Sequence, residues 1–152
     1  MLMQTAHTNS AVRFTVDPGP LELPLKLEFP QGLVGLPESK VACLQRLPGQ
    51  EPFMWLSFAG SAAPINFLVI EPNGLVNDYS PELFDQDAHE LAITASDDAF
   101  VLNIVTLRDT VPPTASVNLT GPIIINRRTL QAKQVVISNY MGYRTPYILG
   151  ED

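Results

Sequence analysis

Apolar residues recur at every second position along several short stretches of the chain. From Leu21 to Phe29, the side chains of Leu21, Leu23, Leu25, Leu27 and Phe29 alternate with Glu22, Pro24, Lys26 and Glu28. Successive side chains of a strand point to opposite faces, so this period of two predicts a strand with one apolar and one polar face. Pro24 has no N–H to give to a ladder, which places the strand at a sheet edge or a bulge. Upstream, Val12, Phe14 and Val16 alternate with Arg13 and Thr15, and Asp17-Pro18-Gly19-Pro20 supplies turn residues between the two runs. A hairpin is expected there. Further strands are predicted at Val41 to Leu47, Phe53 to Phe58, Ile65 to Ile70, Phe100 to Leu107, Ala115 to Leu119, Ile123 to Asn126 and Leu130 to Ile137. Within these, Phe53-Met54-Trp55-Leu56 and Ile123-Ile124-Ile125 are apolar at successive positions, the pattern of a strand covered on both faces.

Between the runs lie most of the 14 prolines and nine glycines, which mark tight connections and leave little room for helices. One helix is predicted to begin at Ser80-Pro81-Glu82, with Ser80 as N-cap, Pro81 at the first helical position and an acid in the first turn. A second short turn is predicted from Asp87 to Leu91. An α/β fold would need amphipathic helices between its strands. The pattern therefore predicts an all-β fold, a small antiparallel β-barrel-like domain with one or two short helical turns, with a sandwich as the other all-β solution. A chain of 152 residues fits one domain spanning 1–152, with 1–11 expected as a flexible tail.

Charge narrows the class of partner. Sixteen acidic residues against nine basic ones give a formal net charge of −7, which disfavours direct nucleic-acid binding and favours a basic protein partner. Cys43 is the single cysteine, so no internal disulfide or Cys-rich zinc site can form, and Cys43 itself is expected as a small core residue. Residues 1–10 lack the basic and apolar regions of a signal peptide, and no stretch approaches the roughly 20 apolar residues of a membrane span. The expected location is the cytoplasm, where the sequon at Asn118-Leu119-Thr120 is a chance match.

Chemistry-bearing motifs are sparse. The two histidines are His7, in the expected tail, and His89, in an acidic segment, and neither makes a convincing general base; no Gly-x-Ser-x-Gly elbow or phosphate-cradling loop occurs. Neither enzymatic activity nor a cofactor is expected. Asp85-x-Asp87-x-His89-Glu90 carries metal-ligating types but lacks the Gly and distal Glu of a calcium loop, so it reads as a solvated connector and no metal is expected. Phe53, Trp55 and Phe67 read as core aromatics or, alternatively, as the wall of a small-molecule-binding β-barrel. The most distinctive local feature is the run from Asp78 to Glu90, with Asp78, Glu82, Asp85, Asp87 and Glu90 and no Lys or Arg. Its bland reading is a solvated loop. Its functional reading is a docking surface for a basic partner, formed by Asp78, Tyr79, Glu82, Leu83, Asp85, Asp87 and Glu90, with Tyr79, Leu83 and Phe84 as anchors.

Several strings together resemble the flagellar assembly factor family FliW. They are Phe29-Pro30-Gln31-Gly32-Leu33-Val34-Gly35-Leu36, Pro52-Phe53-Met54-Trp55-Leu56, Phe67-Leu68-Val69 and Asp78-Tyr79-Ser80-Pro81-Glu82-Leu83. The strongest are Ala115-Ser116-Val117-Asn118-Leu119, then Pro122-Ile123-Ile124-Ile125-Asn126 and Lys133-Gln134-Val135-Val136. Gly32 and Gly35 are expected to supply positive-φ turns, and Asn118 and Asn126 to be either hydrogen-bonded structural amides or contact residues. The sequence departs from the family pattern at Val34, where Pro is usual, and Leu36, where Phe is usual; the tail before Val12 is also longer. The resemblance implies a non-enzymatic binder of two mutually exclusive partners, the translational repressor CsrA and flagellin. Flagellin export would free the factor to sequester CsrA and so lift repression of flagellin synthesis.

Overall fold

A computed structural model of the chain describes residues 12–13 (backbone), 21–59 and 64–150. The alternating run at Leu21 becomes strand β2 (Leu25–Glu28), after β1 (Val12–Arg13). Then come β3 (Val41–Arg46), β4 (Met54–Phe58) and β5 (Ile65–Ile70), which form an antiparallel meander with β2 at its edge. The edge position is the one Pro24 requires. After β6 (Glu82–Leu83) and helix α1 (Asp85–Glu90), the long strand β7 (Ala99–Arg108) pairs with β5. Its other side carries β9 (Ile123–Asn126) along its first half and β8 (Thr114–Val117) along its second. Strand β10 (Ala132–Gln134) borders β9, and β11 (Tyr147–Ile148) borders β8.

Two faces of this sheet are covered. On one, Leu27, Phe29, Leu44, Leu56, Phe58, Leu102, Ile123 and Ile125 close a core in which each is at most 1% exposed. On the other, Ala99, Val101 and Ile124 pack under Leu83, Ala88, Leu91 and Ile137. Ile70, Val105, Val117 and Tyr147 form a third cluster. Strand β9 is therefore buried at every position, as its unbroken apolar run predicts. Each such aliphatic side chain contributes roughly 1.5–3 kcal/mol by leaving water.

The antiparallel all-β expectation holds, with closure looser than a barrel. The edge strands β2 and β10 approach where the Glu28 N–H donates to the Leu130 carbonyl at 3.1 Å, beside one parallel bridge between Glu28 and Gln131. The two edges share no ladder beyond it among the described residues.

Four local expectations are corrected. Where the hairpin with β2 is expected to begin, the two described residues, Val12 and Arg13, pair instead with Leu83 and Glu82. Phe14 to Pro20, and the tail at 1–11, lie outside the described residues. The helix does not begin at Ser80. The Glu82 N–H donates to Asn139 Oδ1 at 3.0 Å, its carbonyl accepts the Ser138 N–H at 2.7 Å, and Leu83 is fully buried, so tertiary pairing overrides the capping pattern. Helix α1 starts at Asp85, with Asp85 and Asp87 in the first turn where the helix dipole favours acids. Phe53 to Leu56 is not covered on both faces, since Trp55 is 36% exposed. Cys43 is only half-buried, between Lys26 and Ser57 on the outer face of the sheet.

Candidate protein-interaction surface

The acidic run acquires a cation that the local sequence does not contain. Lys133, on β10, reaches α1 and places its ammonium 2.6 Å from Asp87 Oδ1 and 2.7 Å from Glu90 Oε1. The Lys133 and Asp87 side chains are 19% and 14% exposed, and Glu90, at the solvent end of α1, is 29% exposed. Glu90 also accepts hydrogen bonds from Gln31 Nε2 at 2.7 Å and from Gln86 Nε2 at 3.0 Å. The Lys133 bond, then those from Gln86 and Gln31, hold the Glu90 carboxyl at a pKa of about 2. For Lys133, desolvation pulls the ammonium down, but the bonds to Asp87 and Glu90 outweigh it and the net shift is upward.

The proposed anchors are also part of the scaffold. Leu83 is 0% exposed and Tyr79 is mostly buried against Tyr143, their rings edge-on with centroids 4.9 Å apart. Tyr79 donates its hydroxyl proton to the Leu119 carbonyl and accepts from Asn103 Nδ2 at 3.1 Å. Burial pushes its phenol well above the ordinary range, so it stays neutral as a structural pin. Leu83 is closed to a partner unless the fold opens, whereas the half-buried Tyr79 offers only part of its side chain. Phe84 is half-buried, and the Glu82 backbone is paired on both sides. Of the acids, Asp78 and Asp85 are the exposed ones that form no ion pair among the described residues. His89 is exposed on α1.

A third segment joins this region. Gly32 has φ +68°, and a Cβ there would lie 2.6 Å from the Leu36 oxygen and from Pro37 backbone atoms, so only glycine fits. The chain then makes a tight turn in which Leu33 and Leu36 exchange N–H···O bonds of 3.1 and 2.9 Å. Gly35, at φ +82°, completes it. The turn lies against the outer edge of β10: the Val34 N–H donates to Gln134 Oε1 at 3.2 Å, and Gln134 Nε2 donates to the Gly121 carbonyl at 3.2 Å. Three segments distant in sequence, 31–36, 85–90 and 133–134, thus form one hydrogen-bonded unit. Sequence reasoning missed Lys133 and Gln134 as members because nothing local pairs them with residues 43 and 100 positions away.

Both asparagines are structural. Asn126 is completely buried; it donates to the Leu91 carbonyl at 2.7 Å and accepts from the Arg128 and Thr129 N–H groups at 2.8 and 3.2 Å. Asn118 is exposed, and its Oδ1 accepts the Gly121 N–H at 2.9 Å. The curl of the sheet is filled by aromatics, with Phe58 at 5.1 Å from Phe29 and 6.0 Å from Phe67. A cavity of about 420 Å³ lies at its end, lined by Leu21, Leu44, Phe53 and Phe100 with the exposed Arg46 and Glu51; Trp55 takes no part in it. No helix among the described residues is long and apolar enough to cross a membrane.

The profile of the FliW protein family matches residues 7–148. The flagellar assembly factor FliW of Leptospira biflexa is 34% identical over 110 residues, covering 72% of this chain and 71% of its own. That of Geobacillus kaustophilus is 35% identical over 124 residues, covering 81% and 83%. A crystal structure of the flagellar assembly factor FliW superposes with a TM-score of 0.68 at 27% identity, over 87% of this chain and 88% of that one.

Proposed function

The chain belongs to the FliW family of flagellar assembly factors, and on that premise we propose that it is a cytoplasmic, non-enzymatic regulator that sequesters CsrA and binds flagellin in exclusive alternation. The observation that carries the reading is the family match across nearly the whole chain. The charge of −7 supports it, because an RNA-binding partner presents a basic surface that an acidic protein meets with a faster encounter.

Within the acidic run, roles divide by environment. Asp87 and Glu90 hold Lys133 and so shape the surface, whereas Asp78 and Asp85 are free to meet a partner. Asp78 has φ 58°, a left-handed conformation that Asn tolerates and most residues do not. The appropriate test is therefore Asp78→Asn combined with Asp85→Lys, titrated calorimetrically with CsrA over a range of salt. The double variant is expected to bind CsrA several-fold more weakly, chiefly through slower association, with a flatter salt dependence. Unchanged affinity and salt dependence would remove these acids from the contact.

A further inference from the structure

The turn at Leu33 to Leu36 exposes an apolar side chain where a free surface loop would ordinarily carry a polar one. Val34 is 74% exposed at its tip. The turn is also braced: the reciprocal Leu33 and Leu36 bonds, the Gly32 N–H to the Phe29 carbonyl at 2.9 Å, and the Val34 N–H to Gln134 Oε1 fix its backbone. An exposed valine on a fixed backbone loses little conformational entropy when a partner covers it.

A second exposed valine lies two residues beyond Gln134, the residue that holds this turn. Beyond β10, the Val135 N–H donates to the Pro122 carbonyl at 3.0 Å and the Ile137 N–H to the Thr120 carbonyl at 3.1 Å, so the chain stays extended. Val135 and Ile137 point inward at 4% and 0% exposure, and Val136 points outward at 57%. Strand alternation puts Val136 on the same side as Gln134 and roughly 7 Å along from it. Gln134 is the residue that holds Val34, so the two valines flank one anchored glutamine.

We propose that Val34 and Val136 form the apolar centre of the surface on which this protein receives a basic protein partner, CsrA under the function proposed above. The partner is identified by charge. Across the β10 edge lies α1 with the exposed Asp85, beyond the Asp87 and Glu90 pair that holds Lys133, and the whole chain carries −7, so a basic surface with an apolar hollow fits both parts. An apolar centre depleted of charge, with a polar rim around it, is the usual anatomy of such contacts.

Val34→Ser and Val136→Ser remove exposed apolar atoms and touch no core residue, so both variants should melt as the wild type does. Val111→Ser, at another fully exposed valine, serves as control. In calorimetric titration with CsrA, the Val34 and Val136 substitutions together are expected to weaken binding about tenfold or more through faster dissociation, with the control unchanged. If the wild type binds CsrA and the double variant binds equally well, the valine surface is wrong and the proposed function stands. Failure of the wild type to bind CsrA overturns both.

Discussion

Replacing Lys133 with Met tests whether the acidic helix is a held scaffold or a solvated loop. The substitution keeps the length of the aliphatic stem and removes the ammonium that lies 2.6 Å from Asp87 and 2.7 Å from Glu90. Two carboxylates would then face each other without their counter-charge. Breaking a fully buried ion pair costs about 3–5 kcal/mol, and an exposed one about 0–1 kcal/mol. With Asp87 partly buried and Glu90 at the solvent side this cluster lies between the two, which suggests roughly 2 kcal/mol. For a domain of this size that is a fall of about 4–8 °C in Tm. Denaturant unfolding and thermal melting by circular dichroism at neutral pH measure both. The triple variant Lys133→Met, Asp87→Asn, Glu90→Gln should regain part of the loss, because the repulsion disappears with the charges. A single variant within about 0.5 kcal/mol of wild type, the range of an ordinary surface change, would refute the reasoning.

Glu90 gives the same cluster a pH signature. Its pKa in the folded protein, about 2, is below its ordinary 4.5, so its contribution is complete above pH 4.5 and is lost as pH falls toward 2; Lys133→Met should flatten stability against pH in that window. Gly32→Ala is expected to cost about 2 kcal/mol or more, since both the positive φ and the contacts with Leu36 and Pro37 oppose a Cβ. Gly35→Ala meets open space and should cost only about 1 kcal/mol, so equal losses in denaturant unfolding would count against the account. Asn126→Ala takes the amide partner from the buried Leu91 carbonyl and from the partly buried N–H groups of Arg128 and Thr129 and should lower stability by roughly 2 kcal/mol; a near-neutral result would mean that water replaces the amide.

What could be read from the sequence follows the range of the interactions. Period-two alternation from Leu21 to Phe29 and the unbroken apolar run at Ile123 to Asn126 are local signals, and both strands lie where those signals put them. The segment Ser80-Pro81-Glu82 carries a local helix signal that is overruled by partners far along the chain, Ser138 and Asn139, together with β1. The acidic run was visible as composition. Its division into Asp87 and Glu90, engaged by Lys133, and the exposed Asp78 and Asp85 was not, because it depends on which strand the fold brings beside the helix. Hydrophobicity likewise points to Tyr79, Leu83 and Phe84 as anchors, and hydrophobicity is also why Leu83 lies inside and the other two are half-buried.

Exclusive pairing with two macromolecules is the claim on which the proposed function rests. It is tested most directly by preforming the complex of this protein with labelled CsrA and titrating in flagellin while following fluorescence anisotropy. Flagellin should release CsrA completely, with a midpoint that rises in proportion to the amount of CsrA present. A stable ternary complex, or no binding of either partner, would contradict it.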